Sequence, residues 1–281
     1  MLVAAVIAAS LGAAAFLAGG LSGCASQARS AKPMTAEAAR DARAAMAVGF
    51  HFQAAASPGG GWVILLPGAS GLKVFDDDQH YFRAAKRFND AGFDALVVDY
   101  KAAYHAAPNA PDVETGDKIR WVIEQAVAWA RESGKLRPEA PGAVAAWSLG
   151  AEGLWPLLND RAALDATGLR AAVAFYPANE ESVPVRTLVP LLILAGGKDD
   201  VTELKDIKAA VAAGGAGSGG GMVTLQEYPA AMHGFDIESI SKPRKISLIP
   251  VIGPTATFGY NREAAEDARS RVDTFLRQHM R

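Results

Sequence analysis

Short apolar runs separated by longer amphipathic stretches recur along most of the chain. Trp62–Leu66, Ala95–Val98, Ala143–Trp147, Arg170–Tyr176 and Pro190–Ala195 are rich in Val, Ile, Leu, Ala and aromatic residues, and turn residues follow them. Continuous runs of this length predict strands buried on both faces. Met222–Tyr228 alternates in the manner of a further strand. Between the runs, Gln79–Ala91 places Tyr81, Phe82, Ala85 and Phe88 on one side at helical spacing, with Gly92 past the end. Val113–Glu132 carries the stripe Ile119, Val122, Ile123, Ala126 and Val127. Residues Leu149 to Leu158, Val201–Ala213 and Arg262–Met280 predict three more helices. Strands alternating with helices predict an α/β fold, a mostly parallel central sheet with helices on both faces. The globular pattern begins near Val48, so residues 48–281 read as one catalytic-sized domain.

The N-terminal residues have a different character. Leu2–Leu17 is almost wholly apolar and short for a membrane span. It runs into Leu21-Ser22-Gly23-Cys24, which resembles a bacterial lipobox, although no Lys or Arg precedes Arg29. Cys24 is the only cysteine and has no internal disulfide partner. The expectation is a lipoprotein-type signal over residues 1–23, a lipidated Cys24 and a tether over 24–47. An uncleaved apolar anchor or an ordinary secretory signal is the alternative. Ala25 and Ser26 supply no acidic retention signal, which favours an outer-membrane or periplasm-facing anchor in the cell envelope. The net charge of -2 and the lack of a basic block argue against nucleic acid as a partner. Gly214–Gly221 lacks the Lys-Ser/Thr of a phosphate-binding loop and reads as a surface connection. The histidines show no metal-ligand spacing, and no cofactor is expected.

Candidate chemistry concentrates beyond the predicted strand ends. Ala146-Trp147-Ser148-Leu149-Gly150 sets a serine between small residues at a strand-to-helix turn, the pattern of a nucleophile elbow. Downstream follow Asp199-Asp200 and then His233, in the order Ser, Asp, His that an α/β-hydrolase requires. A serine hydroxyl attacks only when a base takes its proton, and the base needs a carboxylate to orient it. His233 is the candidate base; His80 and His105 lie upstream and give the wrong order. Asp199 is preferred as the acid because it lies closer to the strand end, while Asp200 suits a helix cap. The oxyanion hole is expected from the backbone N–H of Leu149 and of Ala69 or, failing that, Ser70, in Pro67-Gly68-Ala69-Ser70-Gly71. Glu152 either reaches the pocket or complements a helix dipole. Tyr104 and His105 either line the pocket or face solvent.

With these residues in view, the chain resembles the dienelactone hydrolase family of the α/β-hydrolase superfamily from roughly Phe50 onward. The likeness rests on Leu66–Gly71, Ala146–Gly150, Gly196-Gly197-Lys198-Asp199-Asp200 and Tyr228–Asp236, with Gly259-Tyr260-Asn261 leading into the closing helix. It implies the fold and a triad of Ser148, Asp199 and His233. Dienelactone hydrolases proper use a cysteine where Ser148 stands, and a glutamate about where Pro67 stands. These departures point away from dienelactone itself and towards a serine carboxylesterase or related acyl hydrolase. Two other readings remain: a peptidase of the same fold, or a catalytically silent envelope protein that binds. Lys101–Asp112 and Ile237–Tyr260 are expected to shape specificity, the second as a cover over the pocket. The substrate and the oligomeric state stay open.

Overall fold

A computed structural model describes residues 35–280 apart from 58, 60, 181, 216–222 and 248–254. The expected signal segment, Cys24 and most of the glycine run therefore lie outside the described residues. In chain order the strands are β1 (Phe50–Gln53), β2 (Trp62–Leu66), β3 (Asp94–Val98), β4 (Gly142–Trp147), β5 (Leu169–Phe175), β6 (Leu191–Gly196), β7 (Val223–Tyr228), β8 (Arg244–Ser247) and β9 (Thr255–Phe258). The helices are α1 (Ala36–Met46), α2 (His80–Asp90), α3 (Tyr100–Ala106), α4 (Thr115–Glu132), α5 (Leu154–Leu158), α6 (Arg161–Thr167), α7 (Leu204–Gly214) and α8 (Arg262–His279).

The first seven strands form one sheet in the order β1-β3-β2-β4-β5-β6-β7. Strands β2 to β7 are parallel, and only β1 runs antiparallel, against β3. Alternate residues of each central strand feed opposite faces, as a period of two requires. Ile64, Leu66, Val144, Ala146 and Ile193 enter a core shared with the α4 stripe Ile119, Val122 and Ile123. Val63, Leu65, Ala145, Trp147 and Leu194 enter the other, with Phe88 of α2 and Val272 and Leu276 of α8. Each fully buried Val, Leu or Ile contributes about 1.5–3 kcal/mol relative to exposure. The predicted mostly parallel sheet, clothed by helices on both faces, is thus observed.

Strand order fixes where a site can form. After β3 the chain returns across β2 and lays down β4 on its other side, so the order reverses between β2 and β4. A crevice opens beyond the carboxyl ends of strands at such a switch point. Leu66 of β2 pairs with Ala146 of β4, which brings Gly68-Ala69 and Ser148 out side by side.

Three local departures from the sequence reading have physical causes. Residues 36–46 of the expected tether form a helix, capped by Thr35 accepting from the Ala38 N–H at 3.2 Å. Met46 and Ala42 are buried on one stripe of it, and Arg43 is held 2.6 Å from Glu132 of α4. Alanine at most positions hid that stripe. The helix expected from Leu149 opens instead as a 3-10 turn over Ser148–Gly153. Gly150 and Gly153 are packed against backbone and side chain there, and glycine favours α-helix poorly. Helix α7 starts at Leu204 rather than Val201, because the Val201 and Thr202 amides bond Asp199. The Ile237–Tyr260 stretch contains the antiparallel pair β8–β9.

Candidate active site

Ser148 sits at φ 49°, in the left-handed region that a non-glycine residue enters at a steric cost. The neighbouring backbone explains why the turn is forced. A Cβ on Gly150 would lie 2.5 Å from the Pro67 carbonyl oxygen, so the helix after the serine approaches the β2 exit too closely for any side chain. A Cβ on Gly68 would come 3.3 Å from the Ser148 Cβ. The sharp turn lifts Oγ of Ser148 out of the sheet and into the crevice.

His233 Nε2 lies 3.0 Å from Ser148 Oγ, and its Nδ1 lies 2.8 Å from Asp199 Oδ2. A carboxylate can only accept, so the imidazole proton resides on Nδ1 and Nε2 is left to accept from the serine hydroxyl. Asp199 is itself held: Oδ1 accepts from the Val201 and Thr202 amides at 2.9 and 2.8 Å, and Thr202 Oγ1 lies 2.9 Å from Oδ2. Its neighbour points elsewhere. Asp200 accepts from the Thr257 amide and hydroxyl at 2.7 and 2.9 Å, which ties β9 to the acid loop; it caps no helix. Of the two aspartates, Asp199 is the one in contact with His233.

The loop after β2 is fastened from behind. The Gly68 amide donates to the Tyr81 hydroxyl at 3.0 Å, and the Gly71 amide donates to the Gly68 carbonyl at 3.0 Å. Lys101 Nζ donates to the Ala69 carbonyl. In a trans peptide the N–H points opposite to the preceding carbonyl, so the Ala69 amide is turned away from Gly71. Leu149 lies in the first turn after Ser148, where N–H groups have no intrahelical acceptor. Ala69 and Ser148 both line a cavity of about 390 Å³, together with His233 and Tyr176. Val74, Phe75, Ile237, Ile246 and Phe258 give that cavity an apolar wall.

Several predicted or rival residues fall outside it. Glu152 accepts from the Glu180 amide at 2.6 Å and lines a different cavity of about 400 Å³, which contains neither Ser148 nor His233. Tyr104 bonds the Pro111 carbonyl, and His105 is exposed on α3. Among the described residues no group of His, Cys, Asp and Glu is placed to hold a metal ion.

A buried polar network beneath the site escaped the sequence reading. Asp236 is 4% exposed and accepts from Trp147 Nε1 at 2.8 Å and the Tyr176 hydroxyl at 2.7 Å. Burial and the adjacent Asp236 push the Tyr176 hydroxyl well above the usual phenol range, which keeps it a donor. The Tyr176 ring packs edge-on against His233, 4.5 Å between centroids. The network thereby joins β4 to His233. Tryptophan, tyrosine and aspartate each look ordinary in sequence, and the one available signal was Asp236 directly after His233-Gly234-Phe235.

His80 lies behind the same network. Its Nε2 is buried without a hydrogen-bond partner, 3.6 Å from Asp236 Oδ2. Burial lowers its pKa from the ordinary 6.5, the repulsion of Arg87 and Arg83 adding to this and the attraction of Asp236 and Asp77 opposing it. The unfolded chain therefore takes up this proton first as pH falls. The stability it confers is complete above about pH 6.5 and is lost progressively below. Urea midpoints at pH 7.5 and 5 should show the wild type losing more stability than His80→Gln; equal losses would assign the acid sensitivity to other groups.

Sequence comparison adds to this geometry. Residues 156–280 match the dienelactone hydrolase family. That segment holds Asp199 and His233, with Ser148 just ahead of it, so the resemblance to the dienelactone hydrolase family read from the motifs is borne out. No curated protein matches the chain in sequence. Solved structures agree in fold. A provisionally named dienelactone hydrolase from Klebsiella pneumoniae subsp. pneumoniae MGH 78578 superposes with a TM-score of 0.57 at 16% identity, covering 82% of this chain and 92% of its own. A dienelactone hydrolase-like promiscuous phosphotriesterase from metagenomic libraries gives 0.55 at 18%, covering 83% and 92%. Thermogutta terrifontis esterase 2, with butyrate bound, gives 0.53 at 14%, covering 82% and 88%. The fold is that of the α/β-hydrolases.

Proposed function

We propose that the protein is a serine hydrolase of ester or similar acyl bonds, with Ser148, His233 and Asp199 as its triad. One observation carries this reading: the unbroken contact from Ser148 Oγ through His233 to Asp199, at 3.0 and 2.8 Å, facing an apolar cavity. His233 Nε2 takes the hydroxyl proton as Oγ attacks the acyl carbon, and Asp199 stabilises the imidazolium that results. The carbonyl oxygen becomes an oxyanion facing the amides of Leu149 and Ala69. Collapse of this intermediate breaks the bond to the alcohol, which leaves with the proton from Nε2. Water, deprotonated by the same nitrogen, attacks the acyl-enzyme and releases the acid. No metal or cofactor enters these steps.

The esterase 2 structures with bound butyrate and propionate support a short acyl group as the first substrate to try. Acid-quenching the first turnover of p-nitrophenyl butyrate and weighing the intact chain tests the reading. One butyryl group on Ser148 is expected; turnover with no adduct, or with the adduct elsewhere, argues against it.

We further propose that a lipid on Cys24 anchors the enzyme in the bacterial cell envelope, on the lipobox alone. Expression with an alkyne fatty acid should label the chain and not Cys24→Ser; equal labelling of both would exclude that site.

A further inference from the structure

Phe258 and Phe75 meet across the cavity, and their setting is more constrained than a simple wall requires. The His233 ring packs against both Tyr176 and Phe258, the Phe258 centroid being 5.0 Å away at 84°. Both neighbours of Phe258 are pinned. Thr257 donates twice to Asp200, and the Gly259 amide donates to the His233 carbonyl at 3.1 Å. Phe75 stands at φ 55°, left-handed backbone that is unusual for an aromatic residue. A turn closed by paired Val74–Asp77 backbone bonds at 2.9 and 3.0 Å holds it there. The strained turn presents its ring edge-on to Phe258, 5.3 Å between centroids at 76°. The Arg244 guanidinium of β8 covers the Phe75 ring at 5.8 Å. Both rings pack on a small cluster of Val74, Ile237 and Ile240, separate from the two cores of the sheet. Strain of this kind persists only where surrounding structure enforces it, and it gathers at functional sites.

We infer that Phe75 and Phe258 determine which leaving alcohols the site accepts, favouring small, uncharged, apolar ones. The inference rests on the hydrolase reading above. In acyl transfer the leaving oxygen must receive its proton from His233 Nε2. Two rings pack on His233; Tyr176 is tied through its hydroxyl to Asp236 beneath the site, so the substituent is directed along the other, Phe258. The acyl group is anchored instead by Ser148 and the Gly68–Ser70 loop. Among the described residues lining the cavity, His233 is the one side chain able to carry a positive charge; Arg244, over the Phe75 ring, is not part of that lining. An aromatic wall bonds well to an apolar group and excludes bulk by its rigidity.

The test compares two ester series on the full chain, wild type and Phe258→Ala. One series varies the alcohol of an acetate from ethyl to naphthyl; the other varies the acyl group of an ethyl ester. Phe258→Ala should raise the naphthyl-to-ethyl ratio of kcat/KM about tenfold, the discrimination a pocket wall of this size provides. The acyl-series ratio should stay within about twofold. Unchanged alcohol selectivity, or a shift confined to the acyl series, overturns the inference. Should circular dichroism show that Phe258→Ala is misfolded, Phe258→Leu and Phe75→Leu read the same ratio with less lost volume. Fluorophosphonate labelling of Ser148 in the wild type separates the two claims. Labelling with unaltered alcohol selectivity rejects this inference alone; absence of both labelling and hydrolysis rejects the hydrolase reading with it.

Discussion

Ser148→Ala should lower kcat for ester hydrolysis by about a million-fold, the loss seen when the nucleophile of a triad is removed. The replacement deletes Oγ, which lies 3.0 Å from His233 Nε2, and leaves the base facing the cavity with nothing to deprotonate but water. Residual turnover would come from substrate binding and the oxyanion amides. The fold should survive. Alanine is no larger than serine, and the elbow is forced by the Gly150 and Gly68 contacts rather than by the hydroxyl. Steady-state kinetics with p-nitrophenyl butyrate, beside a circular dichroism spectrum matching wild type, reads both. A loss below about tenfold in a folded variant would mean that another nucleophile does the chemistry.

Asp199→Asn should cost about 10⁴-fold in kcat, and Asp200→Asn about twofold at most. The asymmetry follows from the donors already in place. The Val201 and Thr202 amides occupy Oδ1 of Asp199, so an asparagine would set its carbonyl there and aim its NH2 at His233. Nδ1 would then have to accept, the ring proton would move to Nε2, and Ser148 would lose its base. Asp200 accepts from the Thr257 amide and hydroxyl, a role that asparagine can keep by accepting from one and donating to the other. Measured kcat values for the two single variants decide this. An Asp200→Asn loss as deep as that of Asp199→Asn would break the assignment.

Much of this fold is legible in the sequence. The β2 and β4 runs are wholly buried, so burial left an uninterrupted apolar signature, and β2 matches the Trp62–Leu66 expected. Helices α2 and α4 showed because their apolar stripes contain large side chains. Strand β1, with three of four residues only half-buried, and the hairpin β8–β9, with one buried position among eight, have no such signature. Helix α3 was hidden for another reason: at seven residues, Tyr100–Ala106 is too short for a periodicity to emerge. At the site, the motif positions Ser148, Asp199 and His233 stood out because the elbow and the chain order constrain residue type. The Asp236 network and the Phe75–Phe258 pair did not. Their partners lie far apart in the chain, and aromatic residues at strand ends and turns read as core until the fold brings them to the base. Position at the strand end favours Asp199 over Asp200, but the directions of the two side chains, one to His233 and the other to Thr257, are not legible in sequence.

The proposed chemistry requires an activated serine at position 148. Treating the wild-type protein and Ser148→Ala with a fluorophosphonate, then identifying the modified peptide by mass spectrometry, tests that most directly. One adduct on Ser148, absent from the variant, is the predicted result. A folded wild-type chain left unlabelled, or labelled at another residue, would contradict it and turn attention to a binding role for the same cavity.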